Sequence, residues 1–161
     1  MLFIIIDRKD VELLQKVCKL KINLNTIGPS GTLVHYILKK KLNNDEDKQI
    51  QLQMLQILVD TKTDLNTRYM GLPPVFSASS PEVVKILIKG GADMTMRDQN
   101  GNGPLNYAVA NNNISLAAAL LENGISPDVK NSNGISASAM IDKNNTAMVE
   151  LFAKYINKGA L

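Results

Sequence analysis

The sequence predicts an all-α protein, a solenoid of stacked helix-turn-helix units with turn loops projecting from them like fingers. Three observations predict it. First, Asp98-Gln99-Asn100-Gly101 is echoed by Asn131-Ser132-Asn133-Gly134, the glycines 33 residues apart, and Gly71 lies 30 before Gly101. Self-similarity at such a period marks repeat architectures. Second, the longer apolar runs follow i, i+3, i+4 spacing: Leu13, Leu14, Val17; Met54, Leu55, Leu58; Val83, Val84, Leu87; Leu116, Leu120, Leu121. Third, the punctuation is helical, with Pro81 at a first turn and Gly91 and Gly124 just past a helix end.

The repeats follow in order along 161 residues, expected as a single domain, 1–161. The first, 1–26, is truncated. Met1–Ile6 is its short helix, the run from Leu13 to Val17 its longer one, and Ile22-Asn23-Leu24-Asn25 its return. The second spans 27–66 and ends in Asp64-Leu65-Asn66, echoing residues 23–25. From His35 to Phe76 is 41 residues, so this repeat carries about eight extra over the usual period. They fall near Lys40–Gln51, where Lys39–Lys41 meets Asp45–Asp47; a solvated helix end and loop is the expectation there, a docking patch the alternative.

The third repeat, 67–97, is short, with runs Val75–Ser79 and Val83–Lys89. The fourth, 98–130, has runs Leu105–Ala110 and Ile114–Leu121. The fifth, 131–161, has Ala137–Ile141 and Met148–Tyr155, then drifts from the pattern as a terminal cap would. A helix of two turns cannot stand alone in water, so neighbouring repeats must bury its apolar stripe. Ala78, Ala108, Ala110, Ala137 and Ala139 in the short runs would let helices approach closely.

The unit DQNGNGPLNYAVANNNISLAAALLENGISPDVK, residues 98–130, and the segment Glu82–Asp93 resemble the ankyrin repeat: turn, short helix, break, longer helix, glycine cap, extended return. Pieces of that family's T-P-L-H tetrapeptide stand as Thr32-Leu33-Val34-His35, Pro73-Pro74-Val75-Phe76, Gly103-Pro104-Leu105-Asn106 and Ser136-Ala137-Ser138-Ala139. The resemblance implies that His35 bonds Thr32 at a helix start. It also implies a partner protein, bound through finger tips and a concave face of short helices.

The composition narrows the chemistry. One cysteine, Cys18, excludes an internal disulfide and any multi-cysteine zinc site, and one histidine, His35, excludes HExxH. Cys18 lies in an amphipathic run and reads as a small hydrophobe rather than a reactive thiol. No nucleophile or carboxylate stands at a recognisable spacing from His35, and no phosphate-loop motif is present. No catalytic residue, metal or cofactor is expected. A net charge of +3 is too mild for a nucleic-acid binder, and no apolar run is long enough for a membrane span. With Met1 as native start, the expected compartment is a reducing cytoplasm; with a trimmed start, the compartment stays open.

The tips need not serve the core. They are Thr26, Ile27 and Pro29; Tyr69, Met70 and Leu72; Gln99, Asn100 and Asn102; and Ser132, Asn133 and Ile135. Tyr69, Met70 and Leu72 have the character of an interface anchor; the alternative is that Met70 and Leu72 fold back between fingers. Lys39, Ser79, Asn111 and Lys143 are their companions on the short helices. The expected function is a non-catalytic protein-binding module. Usage rich in Asn, Lys and Ile fits an AT-rich genome, and small bacterial members of the resembled family include effectors and inhibitors or immunity proteins. The alternatives are an enzyme, or enzyme subunit, carried on the same scaffold, and a nucleic-acid binder using Lys39–Lys41.

Overall fold

The computed structural model describes residues 2–20 and 22–156. Met1 of the expected first helix and residues 157–161 of the expected cap lie outside these. Among the described residues are eight α-helices, two short 3₁₀ turns, and isolated antiparallel bridges Gly28–Gly31, Tyr69–Leu72 and Lys130–Ser136 in place of any strand. Among these described residues no helix is long and apolar enough to cross a membrane. The molecule divides into two compact units: residues 1–78 with 85–93, and residues 79–84 with 94–161.

The first unit holds α1 (Leu2–Asp7), α2 (Val11–Cys18), α3 (Leu33–Lys39), α4 (Asp45–Asp60), a 3₁₀ turn at Pro74–Ser77, and the later part of α5 (Pro81–Lys89). Polar capping residues start its helices. The Asp10 carboxylate accepts from Leu13 N–H at 2.8 Å, and Asn44 Oδ1 accepts from Asp47 N–H at 2.8 Å. The helix α1 packs on α2 and α3, both α2 and α3 pack on α4, and the 3₁₀ turn packs on α3. Leu14, Leu33, Ile37, Met54, Leu55 and Leu58 fill the core.

The echo of Asn23-Leu24-Asn25 at Asp64-Leu65-Asn66 has a physical basis. Leu24 and Leu65 are buried, while the Asn25 side chain accepts from Asp64 N–H and the Asn66 side chain from Asp93 N–H, both at 2.8 Å. Each asparagine thus ties its own return to the next one.

Two expectations for this unit are corrected. Leu13 is 39% exposed, because the buried face of α2 runs through Leu14 and Val17. The acidic run Asp45–Asp47 is not wholly solvated. Asp47 is buried, ion-paired to Lys9, and accepts from Asn43 N–H and Nδ2 at 3.0 Å. The Lys9 hydrogen bond, foremost, holds the Asp47 carboxyl below its ordinary range. The extra residues have become the loop at 40–44 and added length at the start of α4, which reaches 16 residues.

The second unit holds the first turn of α5, then α6 (Pro104–Ala110), α7 (Ile114–Glu122), a 3₁₀ turn at Ser138–Met140, and α8 (Thr146–Ile156). Asn113 caps α7 through Leu116 N–H at 3.0 Å, and Asn145 caps α8 through Met148 N–H at 3.2 Å. The helix α7 packs on α6 and α8, burying Leu116, Ala117, Leu120, Leu121, Met148 and Phe152.

The runs Val75–Ser79 and Ala137–Ile141, expected as short helices, form only the two 3₁₀ turns. The first run turns extended at Ala78 (ψ 130°), and Pro81 disfavours helical backbone at Ser80, so the helix does not resume before α5. In the second, Ser136 Oγ bonds Ser138 Oγ at 2.8 Å, and Ser138 Oγ donates to Asp128 at 2.7 Å. Such local bonds compete with helix formation. Ala108 and Ala137 are buried as expected, whereas Ala110 and Ala139 are exposed and bring no helix closer.

Candidate functional site

Finger one closes through Gly28 and Gly31, which exchange backbone hydrogen bonds at 2.8 and 3.1 Å across Pro29-Ser30. Gly31 adopts φ +101°, and a Cβ there would lie 2.8 Å from the His35 Cβ and 2.9 Å from the Tyr69 ring. Thr32 then caps α3. Its N–H points at His35 Nδ1 (3.3 Å), its Oγ1 lies 2.9 Å from the same nitrogen, and His35 N–H reaches Oγ1 at 3.4 Å. His35 Nε2 stands 3.0 Å from the Leu72 carbonyl oxygen.

These partners assign the tautomer. A backbone N–H can only donate, so Nδ1 is bare; a carbonyl can only accept, so Nε2 carries the proton. Burial, chiefly, pushes the His35 pKa down and keeps the ring neutral. Every polar atom of the ring is engaged in joining finger one to finger two, leaving it no capacity as a general base.

Finger two is a two-residue turn. Tyr69 and Leu72 exchange backbone bonds at 2.9 and 3.1 Å, and both central residues have positive φ: Met70 at +51° and Gly71 at +83°. Tyr69 is half-buried. Its hydroxyl donates to the Pro29 carbonyl, its ring stands edge-on to His35 at 5.9 Å, and Lys39 Nζ sits 4.8 Å from its centroid. Leu72 is half-buried as well, whereas Met70 is 84% exposed and Ile27, on finger one, 61%.

Fingers three and four share a different design. Asp98 N–H bonds Asn102 O at 2.9 Å and Gly101 N–H bonds Asp98 O at 3.1 Å; Asn131 and Ile135 with Gly134 repeat both bonds at 2.9 Å. Gly101 and Gly134 each take φ +76°. These are three-residue loops closed by a glycine bulge. The leading residue cages each loop with its own side group. Asp98 Oδ1 accepts from Asn100 and Asn102 N–H at 2.8 Å, while Asn131 Oδ1 accepts from Asn133 N–H at 3.0 Å and Ile135 N–H at 2.9 Å.

Asp98 Oδ2 further accepts from Tyr107 OH at 2.9 Å and Asn102 Nδ2 at 3.2 Å. Burial alone would raise the Asp98 pKa; the bonds from Asn102, Tyr107 and Asn100 outweigh it and hold the carboxyl low. The two fingers are tied by Asn131 Nδ2 to Asn102 Oδ1 at 2.8 Å and by Ser132 N–H to Asn100 O at 3.0 Å.

Of the remaining sequence-derived residues, Gln99, Asn100, Ser132 and Asn133 are exposed tips, and Ile135 is 42% exposed. Asn102 is half-buried in the tie just described. Lys39 is exposed and lies against Tyr69. Asn111 is exposed at the end of α6, with Nδ2 on Tyr107 O at 2.9 Å. Ser79 and Lys143 are exposed too, and the Ser79 carbonyl accepts from Asn113 Nδ2 at 3.0 Å. Cys18 is half-buried, and burial pushes its thiol pKa up, away from reactivity.

Sequence reasoning missed Asp98 as the organiser of a finger, although Asp98 and Asn131 at matching phase were the available signal. It also missed that Asn106, at the histidine position of the tetrapeptide, keeps part of the histidine's job: its Oδ1 accepts from Gly103 N–H at 2.9 Å.

Comparison with known proteins agrees with this architecture. Residues 2–131 match the family described as "Ankyrin repeats (3 copies)". Over 84 residues the protein is 36% identical to protein fem-1 homolog C of Homo sapiens, a match that takes in 52% of its own length and 14% of that relative. It is 38% identical over 71 residues to protein phosphatase 1 regulatory subunit 27 of Homo sapiens, with 44% and 46% covered. It is 34% identical over 59 residues to an ADP-ribosylation factor GTPase-activating protein of Arabidopsis thaliana, with 37% and 8% covered. The match spans less than half the length of each of these relatives. With most of its length matched and its fingers, caps and helices in phase, the chain belongs to the ankyrin-repeat family.

Proposed function

We propose that this protein is a non-catalytic binding module that holds a partner protein through its finger tips, with Met70 and Ile27 as apolar anchors. One observation carries the reading. Met70 sits at φ +51°, a conformation that favours glycine or asparagine, yet it is a large apolar side chain left 84% exposed. Left-handed backbone at a residue other than glycine costs roughly 1–2 kcal/mol. Core packing gains nothing from that side chain, so a role at the surface accounts for it.

The bracing of finger two by His35, Tyr69 and Lys39 supports the same reading, because a pre-ordered loop loses little entropy on binding. Gln99, Asn100, Ser132 and Asn133 on the second unit's fingers, with Asn111 at the end of α6, supply polar contacts. A regulatory subunit among the similar proteins is in keeping with action through binding. An inhibitor or effector acting on one protein target is the finer form of the proposal.

The test is Met70→Asn. The substitution keeps the turn and removes the anchor. Affinity for a captured partner should fall about tenfold or more, as at an interface hot spot, while thermal stability holds or rises. Unchanged affinity for Met70→Asn together with Ile27→Ala would overturn the assignment.

A further inference from the structure

We propose that Asn133, at the tip of finger four, is a site of spontaneous deamidation, a modification that places a carboxylate or an isoaspartyl linkage there. The protein has four Asn-Gly pairs among its described residues: Asn100-Gly101, Asn102-Gly103, Asn123-Gly124 and Asn133-Gly134. At such a pair the glycine amide nitrogen can attack the asparagine Cγ. A new C–N bond forms to Cγ, the bond from Cγ to Nδ2 breaks, ammonia leaves with the proton lost by the attacking amide, and a succinimide results. Water then opens the ring at either carbonyl to give aspartate or isoaspartate. No oxidant or cofactor enters. Attack requires the backbone to leave its native turn, so the rate follows how easily each loop opens.

The structure ranks the four. Asn102 is half-buried, its Nδ2 donating to Asp98 Oδ2 at 3.2 Å and its Oδ1 accepting from Asn131 Nδ2 at 2.8 Å, and the Gly103 N–H that would attack is buried and held by Asn106 Oδ1 at 2.9 Å. Asn123 ends α7, with its Nδ2 on Ala119 O at 2.7 Å and Gly124 N–H on Leu121 O at 3.0 Å; opening it unwinds a helix end. Asn100 lies in a loop caged by a carboxylate, and bonds to an ionised acceptor are roughly twice as strong as neutral ones. Its carbonyl accepts from Ser132 N–H at 3.0 Å, and a Cβ placed on Gly101 would lie 2.8 Å from that same nitrogen. That side of the loop is occupied.

Asn133 has the same local turn with neither restraint. Its cage is the neutral amide of Asn131, it is exposed, and nothing lies within 4 Å of a Cβ placed on Gly134. The inter-finger bond that reaches its loop enters at Ser132, before the reacting pair. Losing one hydrogen bond's worth of restraint predicts a rate at Asn133 about fivefold above that at Asn100. The chemistry stands whatever the fingers bind.

The experiment ages the folded protein at mildly alkaline pH and follows each Asn-Gly peptide by mass spectrometry, reading the mass gain of amide-to-acid conversion and the isoaspartyl content. Expected is conversion at Asn133 ahead of the other three sites, convergence of the four rates in denaturant, and acceleration at Asn100 in Asp98→Asn, whose cage then matches finger four. Equal rates in the folded protein, an order led by Asn100, Asn102 or Asn123, or no response of Asn100 to Asp98→Asn would overturn the proposal.

Discussion

The first unit's fingers and the second unit's fingers solve one problem with different chemistry. Fingers one and two are tight turns held from outside: His35 reaches across to the Leu72 carbonyl, and the Tyr69 hydroxyl reaches back to Pro29. Fingers three and four are longer and held from inside, each by the residue that opens it, Asp98 or Asn131. Where a buried side chain braces the loop from a neighbouring element, the tip is free to be apolar, as at Ile27 and Met70. Where the loop braces itself, its backbone amides are consumed locally, and the central tip residues Gln99, Asn100, Ser132 and Asn133 are polar, with Ile135 beside them the one exposed apolar side chain.

The largest effect should come from removing the external brace. His35→Ala leaves the Leu72 carbonyl and Thr32 short of partners and opens a cavity, for a loss of about 2–4 kcal/mol by chemical denaturation. Asp98→Ala should cost about 2–3 kcal/mol, since several bonds to a charged acceptor vanish. Asn131→Ala should cost about 1 kcal/mol, since its acceptor is neutral. Equal losses at the two cage residues would break the distinction between a charged and a neutral cage.

Acid separates the two designs next. His35 is depressed in the folded state, so its contribution is complete above about pH 6.5, the unfolded value, and is lost as pH falls toward the folded one. Asp98 is also depressed, so its contribution persists until pH falls below about 3.9 and is then lost. Melting curves should therefore show a first decline that disappears in His35→Ala and a later one, shared with Asp47 and other depressed carboxylates, that shrinks in Asp98→Ala. The smallest effect is Tyr69→Phe, which keeps the ring under Lys39 and removes one hydroxyl bond, for about 1 kcal/mol or less in the same melts.

Much of this was legible in the residues. The helices of the fourth repeat lay where the period placed them, Gly101 and Gly134 marked like turns, and the Thr32–His35 pair met as the family tetrapeptide implied. The two 3₁₀ turns were not legible, because apolar runs of five residues look alike whether or not a proline or a pair of serines stops them from winding. Nor was the bracing of finger two by Tyr69, because the partner of its hydroxyl lies 40 residues away in sequence.

The repeat, the helix starts and the positions of the glycine turns were written in the residues, because caps, glycines and apolar spacing act over a few positions. Which tip residues also brace their turns depended on the packing. The bonds from His35 to Leu72, Tyr69 to Pro29 and Lys9 to Asp47 join residues 37 to 40 positions apart, and no local pattern records them. Such pairs come within reach only when helices stack, since burial of apolar stripes sets the spacing between neighbouring elements and so chooses which polar groups meet.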